Sequence, residues 1–147
     1  MDYIGIDIGS TASKVVVKGD HDIHFVLPTG WSGKETCQTI KDRLLEDSVD
    51  VLSDDSKVVA TGYGRVAVDF ADHVITEITC HARGGREMAG DECAIIDVGG
   101  QDTKIILVSG GMVQDFQMND KCSAGTGKFL EIMANRLGVT LQELFDM

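Results

Sequence analysis

Residues 7–16 read Asp-Ile-Gly-Ser-Thr-Ala-Ser-Lys-Val-Val, and residues 97–106 read Asp-Val-Gly-Gly-Gln-Asp-Thr-Lys-Ile-Ile. Both follow one pattern: Asp, an aliphatic residue, Gly, a small residue, two variable residues, Ser or Thr, Lys, and two aliphatic residues. Each stretch begins in a run of apolar residues, so each is predicted to end one strand and open a hairpin to the next. The repeat therefore predicts two similar structural units.

Both copies have the composition of a phosphate-binding loop. Glycine lets the backbone turn tightly and approach a ligand closely, and successive N–H groups in such a turn attract an anion. Asp7 and Asp97, at the strand ends, are candidates to hold a hydrated Mg²⁺ that neutralises phosphates. One such turn alone is also typical of a plain hairpin, but two facing loops would hold a triphosphate from both sides. The other candidate nucleotide-binding residues are Gly9, Ser10, Thr11 and Lys14 in the first copy and Gly99, Gly100, Gln101, Thr103 and Lys104 in the second.

The predicted elements restart with the repeat. Their order is β-β-β-α-β-α-β-α followed by β-β-β-α. We therefore predict an α/β fold of mixed sheets with flanking helices. Residues 1–92 form a first complete lobe with the first phosphate loop. Residues 93–147 form an incomplete second lobe with the second loop and the helix that follows Cys122.

Composition excludes several classes of function. The chain has 147 residues, of which 13 are basic and 24 acidic, giving a formal net charge of −11. Nucleic acid and anionic membranes both attract positive surface, so non-specific binding to either is not expected. No apolar run approaches the ~18 residues of a membrane span, and the N-terminus lacks the basic segment of a secretory signal. Four cysteines without such a signal predict reduced thiols and a cytoplasmic location.

Cys122 is a candidate metal ligand. A helix is predicted to begin near Ala124, and a helix N-terminus favours thiolate over thiol. Thiolate is the form that binds iron–sulfur clusters. A buried structural thiol is the alternative role, and the residues alone favour it.

Several motifs together resemble a known family. The two phosphate loops resemble those of actin-like (ribonuclease H-like) ATPases. A wider set of motifs consists of the second loop, Thr-Gly-Tyr-Gly-Arg at 61–65, Glu-Ile-Thr-Cys-His-Ala at 77–82, and Asn-Asp-Lys-Cys-Ser-Ala-Gly-Thr-Gly-Lys-Phe-Leu at 119–130. This set is similar to the activators of 2-hydroxyacyl-CoA dehydratases and the ATPase subunits of benzoyl-CoA reductase, the BadF/BadG/BcrA/BcrD type.

The resemblance implies an ATP-driven electron donor. It implies a homodimer that shares one [4Fe–4S] cluster, with Cys122 as a ligand. ATP hydrolysis would promote transfer of one low-potential electron to a 2-hydroxyacyl-CoA dehydratase or related CoA-ester reductase, with reduced ferredoxin or flavodoxin as the source. It places Glu77 near the metal and the attacking water. Gln101 and Asp102 are the other candidates to orient that water, and the sequence does not rank the three.

The resemblance also implies that this sequence is an N-terminal half. The second cluster cysteine and the adenosine-binding segment of the family are missing. We therefore expect an engineered piece, a proteolytic fragment or one product of a split gene. Such a half should bind nucleotide weakly, hold no stable cluster and be inactive alone, the ATPase and activase functions belonging to the full-length form.

Two other functions are compatible with the same loops. A sugar-kinase-like phosphotransferase would use the same loops, and a non-catalytic actin-like module would keep the fold for assembly. The Gly-Tyr-Gly turn at 62–64 invites a dinucleotide-binding interpretation. The helix expected after it is too short to cross a sheet face, and the preceding hairpins do not fit a parallel fold.

Overall fold

A computed structural model describes residues 1–119 and 125–147 of the chain. It divides into two compact units, Met1–Cys80 and His81–Met147. This division falls earlier in the sequence than the lobe boundary predicted after residue 92, which stays a prediction. Among the described residues, no helix is both long enough and apolar enough to cross a membrane.

The first unit is built on a five-stranded sheet with the order β3-β2-β1-β4-β5. The first three strands are antiparallel, whereas β4 runs parallel to β1 and β5 runs parallel to β4. This mixed pairing excludes the all-parallel start of a dinucleotide-binding fold. Its elements are β1 (Asp2–Ile8), β2 (Ala12–Gly19), β3 (Asp22–Pro28), α1 (Gly33–Glu46), β4 (Ser56–Thr61) and β5 (His73–Val74).

The core of the first unit lies between the sheet and helix α1. Alternate residues of β1 are buried, and Ile40 and Leu44 of α1 are fully buried in the same cluster. Burying each such side chain contributes about 1.5–3 kcal/mol. The Ser-Gly-Lys-Glu sequence at 32–35 has the capping-box pattern that predicts a helix start. Helix α1 begins there, and the Ser32 hydroxyl accepts a hydrogen bond from the Glu35 N–H.

The second unit repeats the opening meander of the first. Its three strands form an antiparallel sheet with the order β6-β7-β8. Helix α2 begins in the first unit and continues into the second. The elements are α2 (Glu77–Ala89), β6 (Cys93–Val98), β7 (Thr103–Ser109), β8 (Met112–Asn119), α3 (Gly127–Leu137) and α4 (Leu141–Asp146).

Two predicted helices are present, but with other bounds than expected. The helix expected after residues 62–65 is only one 3₁₀ turn, Arg65–Ala67. The helix expected from near Ala124 begins at Gly127, after the N-cap residue Thr126. The Thr-Leu-Gln-Glu sequence at 140–143 also predicts a capping box. This prediction is confirmed, because Thr140 and Glu143 bond each other reciprocally at the start of α4.

The Asp72 side chain connects the segment that follows β4 back to that strand by a hydrogen bond. Its Oδ2 accepts a hydrogen bond from the Val58 N–H at 2.7 Å. This bond, aided by the charge of Lys57, holds the pKa of Asp72 below its ordinary value of 3.8. A depressed folded-state pKa means that the ionised carboxylate stabilises the fold above the ordinary pKa. That contribution is lost as the pH falls through the folded-state pKa.

We expect Asp72→Asn to flatten the acid limb of the stability curve. Asparagine keeps an oxygen that can accept the Val58 hydrogen bond, but it does not titrate. Melting temperatures measured from neutral pH into the acid range should therefore fall less steeply for Asp72→Asn than for the parent below about pH 4. Asp54→Asn, at an exposed loop position, is the matched control. Parallel curves for the parent and Asp72→Asn would contradict the assignment.

Candidate functional site

The repeated stretches occupy equivalent places in two hairpins. Asp7 pairs with Lys14 across the β1–β2 ladder, and Asp97 pairs with Lys104 across the β6–β7 ladder. In each hairpin the lysine Nζ lies near Oδ2 of the paired aspartate, at 3.1 Å in the first and 3.2 Å in the second. The sequence repeat is thus a structural repeat that includes the strand register and the ion pair.

In the first loop, residues 9–11, two carbonyl groups accept hydrogen bonds, whereas amides of the loop have no acceptor among the described residues. The Thr29 N–H donates to the Thr11 carbonyl at 2.9 Å, and the Thr29 hydroxyl donates to the Gly9 carbonyl at 2.8 Å. Within the described ranges, the amides of Ser10 and Thr11 donate to no protein acceptor. Successive exposed N–H groups of this kind form an anion-binding concavity suited to phosphate.

A neighbouring turn, residues 62–65, packs against the end of β1. The Gly64 N–H donates to the Ile8 carbonyl at 2.9 Å. Gly62 has φ 87°, and a Cβ there would lie 2.2 Å from Oδ1 of Asp7. Only glycine permits this backbone conformation and this approach together. The turn therefore fixes the place of the Asp7 carboxylate.

The second loop, residues 99–102, repeats the pattern of open amides. The Gly99 N–H closes the loop on the Asp102 carbonyl at 2.8 Å. Over residues 1–119 and 125–147, the amides of Gly100 and Gln101 donate to no protein acceptor. The two loops thus share the same feature that suits them to phosphate.

Helix α3 begins directly on the second loop. The Gly127 N–H donates to the Gly99 carbonyl at 2.8 Å, and the Lys128 N–H donates to the Gly100 carbonyl at 3.1 Å. The Thr103 hydroxyl donates to the carbonyl of Gly125. The first amides of a helix have no partner within the helix, and here the loop supplies two of the acceptors. The loop and the helix start are therefore joined by hydrogen bonds.

The two lysines differ in environment. Lys14 has a side chain 49% exposed beside Asp7. Lys104 is 3% exposed and also contacts Oδ1 of Asp102 at 2.8 Å. The second loop therefore has a buried cation between two carboxylates, whereas the first has an exposed ion pair.

The carboxylates fit a magnesium ion bound largely through water. Asp7 and Asp97 are each about a quarter exposed, at 26% and 28%. In the described part of the chain, no three His, Cys, Asp or Glu side chains are grouped as a metal cage. Mg²⁺ keeps several waters and commonly uses one or two carboxylates together with substrate phosphates. This donor set suits that mode of binding.

The three candidates to orient water lie in different settings. Glu77 is the first residue of α2 and is half-buried. Gln101 is exposed at the tip of the second loop, and Asp102 contacts Lys104. Glu77 belongs to the first unit and the other two to the second. Their roles stay predictions.

Cys122 lies outside the described residues. Its role as a cluster ligand therefore stays a prediction. The described cysteines, Cys37, Cys80 and Cys93, are free thiols, and burial raises the pKa of Cys37.

One residue near the second loop was not predicted to act there. His81 of α2 places Nδ1 3.3 Å from Oδ2 of Asp97. No spacing in the sequence indicates this contact, because it depends on how α2 packs against β6.

Comparison with solved structures identifies the class of protein. The chain superposes with a TM-score of 0.85 on an activator of 2-hydroxyisocaproyl-CoA dehydratase from Clostridium difficile, solved with bound ADPNP. The two are 38% identical, and the match covers 98% of this chain and 55% of the other. The fold is that of the actin-like ATPases, as predicted.

Sequence comparison identifies the family. The profile of the BadF/BadG/BcrA/BcrD ATPase family matches residues 4–147. The chain belongs to this family, which confirms the resemblance found in its motifs.

Two relatives carry names that describe dehydratase activation. An activator of lactoyl-CoA dehydratase from Anaerotignum propionicum is 45% identical over 98% of this chain and 57% of its own length. The (R)-2-hydroxyglutaryl-CoA dehydratase activating ATPase of Acidaminococcus fermentans is 41% identical over 98% of this chain and 56% of its own length. The chain thus spans a little over half the length of these relatives.

Proposed function

We propose that the chain binds Mg-ATP through its two loops and acts within an activator of a 2-hydroxyacyl-CoA dehydratase or related CoA-ester reductase. The observation that supports this best is the pair of hairpins, which share the strand register, a Lys–Asp ion pair across the ladder and open amides in the loop. The relatives named as dehydratase activators and the relative bound to ADPNP suggest the partner and the nucleotide.

Each part of a loop has a separate task in this proposal. The open amides bind phosphate oxygens, Asp7 and Asp97 hold Mg²⁺ through water, and Lys14 and Lys104 keep those carboxylates in place. The metal supplies charge neutralisation on the phosphates. Glu77, Gln101 and Asp102 are the candidates to orient the attacking water.

The electron-transfer part of the proposal rests on Cys122 and the family. A [4Fe–4S] cluster shared by two copies of the chain would supply a single low-potential electron, with Cys122 as a ligand from each copy. Four cysteine ligands are usual, so a homodimer of this sequence provides only half of them. Reduced ferredoxin or flavodoxin is the proposed electron source. The reducing cytoplasm is the proposed location.

The hydrogen bonds between the second loop and α3 suggest how the two activities are coupled. Cys122 lies in the sequence between β8 and α3, and α3 begins on the carbonyls of Gly99 and Gly100. A change at the loop on nucleotide hydrolysis would therefore be passed to the segment that contains this cysteine. This is the kind of ligand-biased rearrangement by which nucleotide switches work.

The test is nucleotide and iron binding by the gene product that carries this sequence, purified without oxygen. By calorimetry, Asp7→Asn and Asp97→Asn should each weaken binding of a non-hydrolysable ATP analogue with Mg²⁺ about tenfold or more, whereas the exposed control Asp54→Asn should not. Cys122→Ser should lose iron and dehydratase activation but keep nucleotide binding, and Cys93→Ser should keep all three. Unchanged binding in both aspartate variants would contradict the loop assignment.

The same preparation separates the alternatives. An iron-free, colourless protein that transfers phosphate to a sugar would support the phosphotransferase. A stable oligomer whose melting temperature does not respond to nucleotide would support the assembly module.

A further inference from the structure

His81 reaches the second loop because α2 packs closely on β6. His81 and Gly85 are four residues apart and share one face of the helix, while Ile95 and Asp97 are two apart and share one face of the strand. A Cβ on Gly85 would lie 2.3 Å from Cδ1 of Ile95. The missing side chain thus lets the helix approach the strand, and one turn earlier His81 Nδ1 lies 3.3 Å from Asp97 Oδ2.

Two nitrogens converge on a single oxygen of Asp97. Lys104 Nζ lies 3.2 Å from Oδ2, and His81 Nδ1 lies 3.3 Å from the same atom. In the first hairpin, the described contact of Asp7 Oδ2 is with Lys14. The histidine therefore distinguishes the second copy of an otherwise repeated arrangement.

Nδ1 of His81 lies close to the Asp97 carboxylate but does not make a well-aligned hydrogen bond with it. Nδ1 of His81 is buried and, among the described residues, no acceptor is aligned for a hydrogen bond with it. Leaving a buried polar group unsatisfied costs about 1–3 kcal/mol. Hydrogen bonds in active sites are often long or misaligned without ligand and tighten when it binds. A small rotation of the Asp97 carboxylate would satisfy this nitrogen.

We infer that His81 is a positioning residue for Asp97. Its Nδ1–H holds Oδ2, together with Lys104, and leaves Oδ1 to accept from Mg²⁺-bound water. This role rests on the proposed binding of Mg-ATP by the second loop. The effect of His81 on Mg²⁺ binding would therefore pass through the Asp97 carboxylate that it contacts.

Three substitutions separate positioning from packing. Asparagine places an amide nitrogen close to the position of Nδ1, glutamine places it near that of Nε2, and leucine has no nitrogen. The readout is the Mg²⁺ concentration that half-saturates the gene product carrying this sequence in the presence of a non-hydrolysable ATP analogue, measured by calorimetry. His73→Leu, at an exposed position of β5, is the control.

We expect His81→Leu and His81→Gln to raise that Mg²⁺ concentration about 10- to 100-fold, the effect usual for groups that orient a metal-binding residue. His81→Asn and His73→Leu should remain close to the parent. On an Asp97→Asn background, His81→Leu should add nothing, because the two residues act as one unit.

Two results would overturn the inference while leaving the proposed function intact. One is a His81→Leu protein with the Mg²⁺ response of the parent. Another is equal loss in all three His81 variants, which would indicate packing alone. If His81→Leu does not fold, the asparagine and glutamine variants alone test the inference. Equal half-saturating Mg²⁺ concentrations for these two variants would contradict a positioning role. A parent chain that shows no Mg²⁺-dependent nucleotide binding would overturn the proposed function, and this role with it.

Discussion

Replacing Lys104 with methionine should lower the free energy of unfolding of the second unit by about 3 kcal/mol. Breaking a buried ion pair by removing one partner costs about 3–5 kcal/mol, because it leaves an uncompensated charge. Lys104 is 3% exposed, but its partners Asp97 and Asp102 are about a quarter exposed. Water relieves part of their charge, so we expect the lower end of that range. Native-state hydrogen exchange of β7 amides measures the loss within this unit.

The repeat supplies the control for this experiment. Lys14 occupies the same register position in the first hairpin, contacts Asp7 and is 49% exposed. Exposed ion pairs contribute about 0–1 kcal/mol. Lys14→Met should therefore lower the free energy of unfolding measured by hydrogen exchange of β1 amides by less than about 1 kcal/mol. Adding Asp102→Asn to Lys104→Met should recover part of the loss by removing one of the stranded charges. Equal losses of stability from Lys14→Met and Lys104→Met would contradict the claim that burial makes the Lys104 ion pairs the more stabilising ones.

Gly62→Ala should both destabilise the first unit and weaken nucleotide binding. The positive φ costs an alanine about 1–2 kcal/mol. The new Cβ would also lie 2.2 Å from Asp7 Oδ1 and 2.6 Å from the Ile8 carbonyl oxygen, and overpacking of this kind costs about 1–3 kcal/mol more. We therefore expect the free energy of unfolding of the first unit, measured by hydrogen exchange of β1 amides, to fall by about 3 kcal/mol in total. Displacement of the Asp7 carboxylate should weaken Mg²⁺-dependent binding of the ATP analogue as well.

Gly90 isolates the backbone contribution from the steric one. Its φ of 90° matches the 87° of Gly62, but a Cβ on Gly90 would meet nothing within 4 Å. Gly90→Ala should thus show only the conformational cost, about 1–2 kcal/mol, and leave nucleotide binding intact. If Gly62→Ala is no worse than Gly90→Ala, the close packing against Asp7 has no energetic consequence.

The parts of the fold that depend on local pattern were predictable from the sequence. The two Asp-to-Lys stretches predicted paired hairpins because apolar alternation and glycine turns are properties of neighbouring residues. The starts of α1 and α4 followed from Ser32 and Thr140 for the same reason. The family followed from motifs that lie along the whole chain.

Features that depend on distant packing were not predictable. Lys14 and Lys104 have identical places in the pattern, yet one is exposed and the other buried, because their surroundings come from other segments. The contact of His81 with Asp97 requires α2 to lie close to β6 at Gly85, which no spacing reveals. The helix expected near Ala124 begins later because its first amides bond to the second loop rather than to a local cap.

The bonds from Gly127 and Lys128 to the second loop have a thermodynamic consequence. If nucleotide at the loop changes the free energy of an arrangement of α3, then anything that binds and stabilises that arrangement must change nucleotide affinity by the same factor. On the proposed function, an acceptor protein that binds α3 would therefore raise or lower the affinity of the second loop for nucleotide. The ratio of the nucleotide affinities measured with and without the acceptor would give the coupling free energy between the second loop and α3.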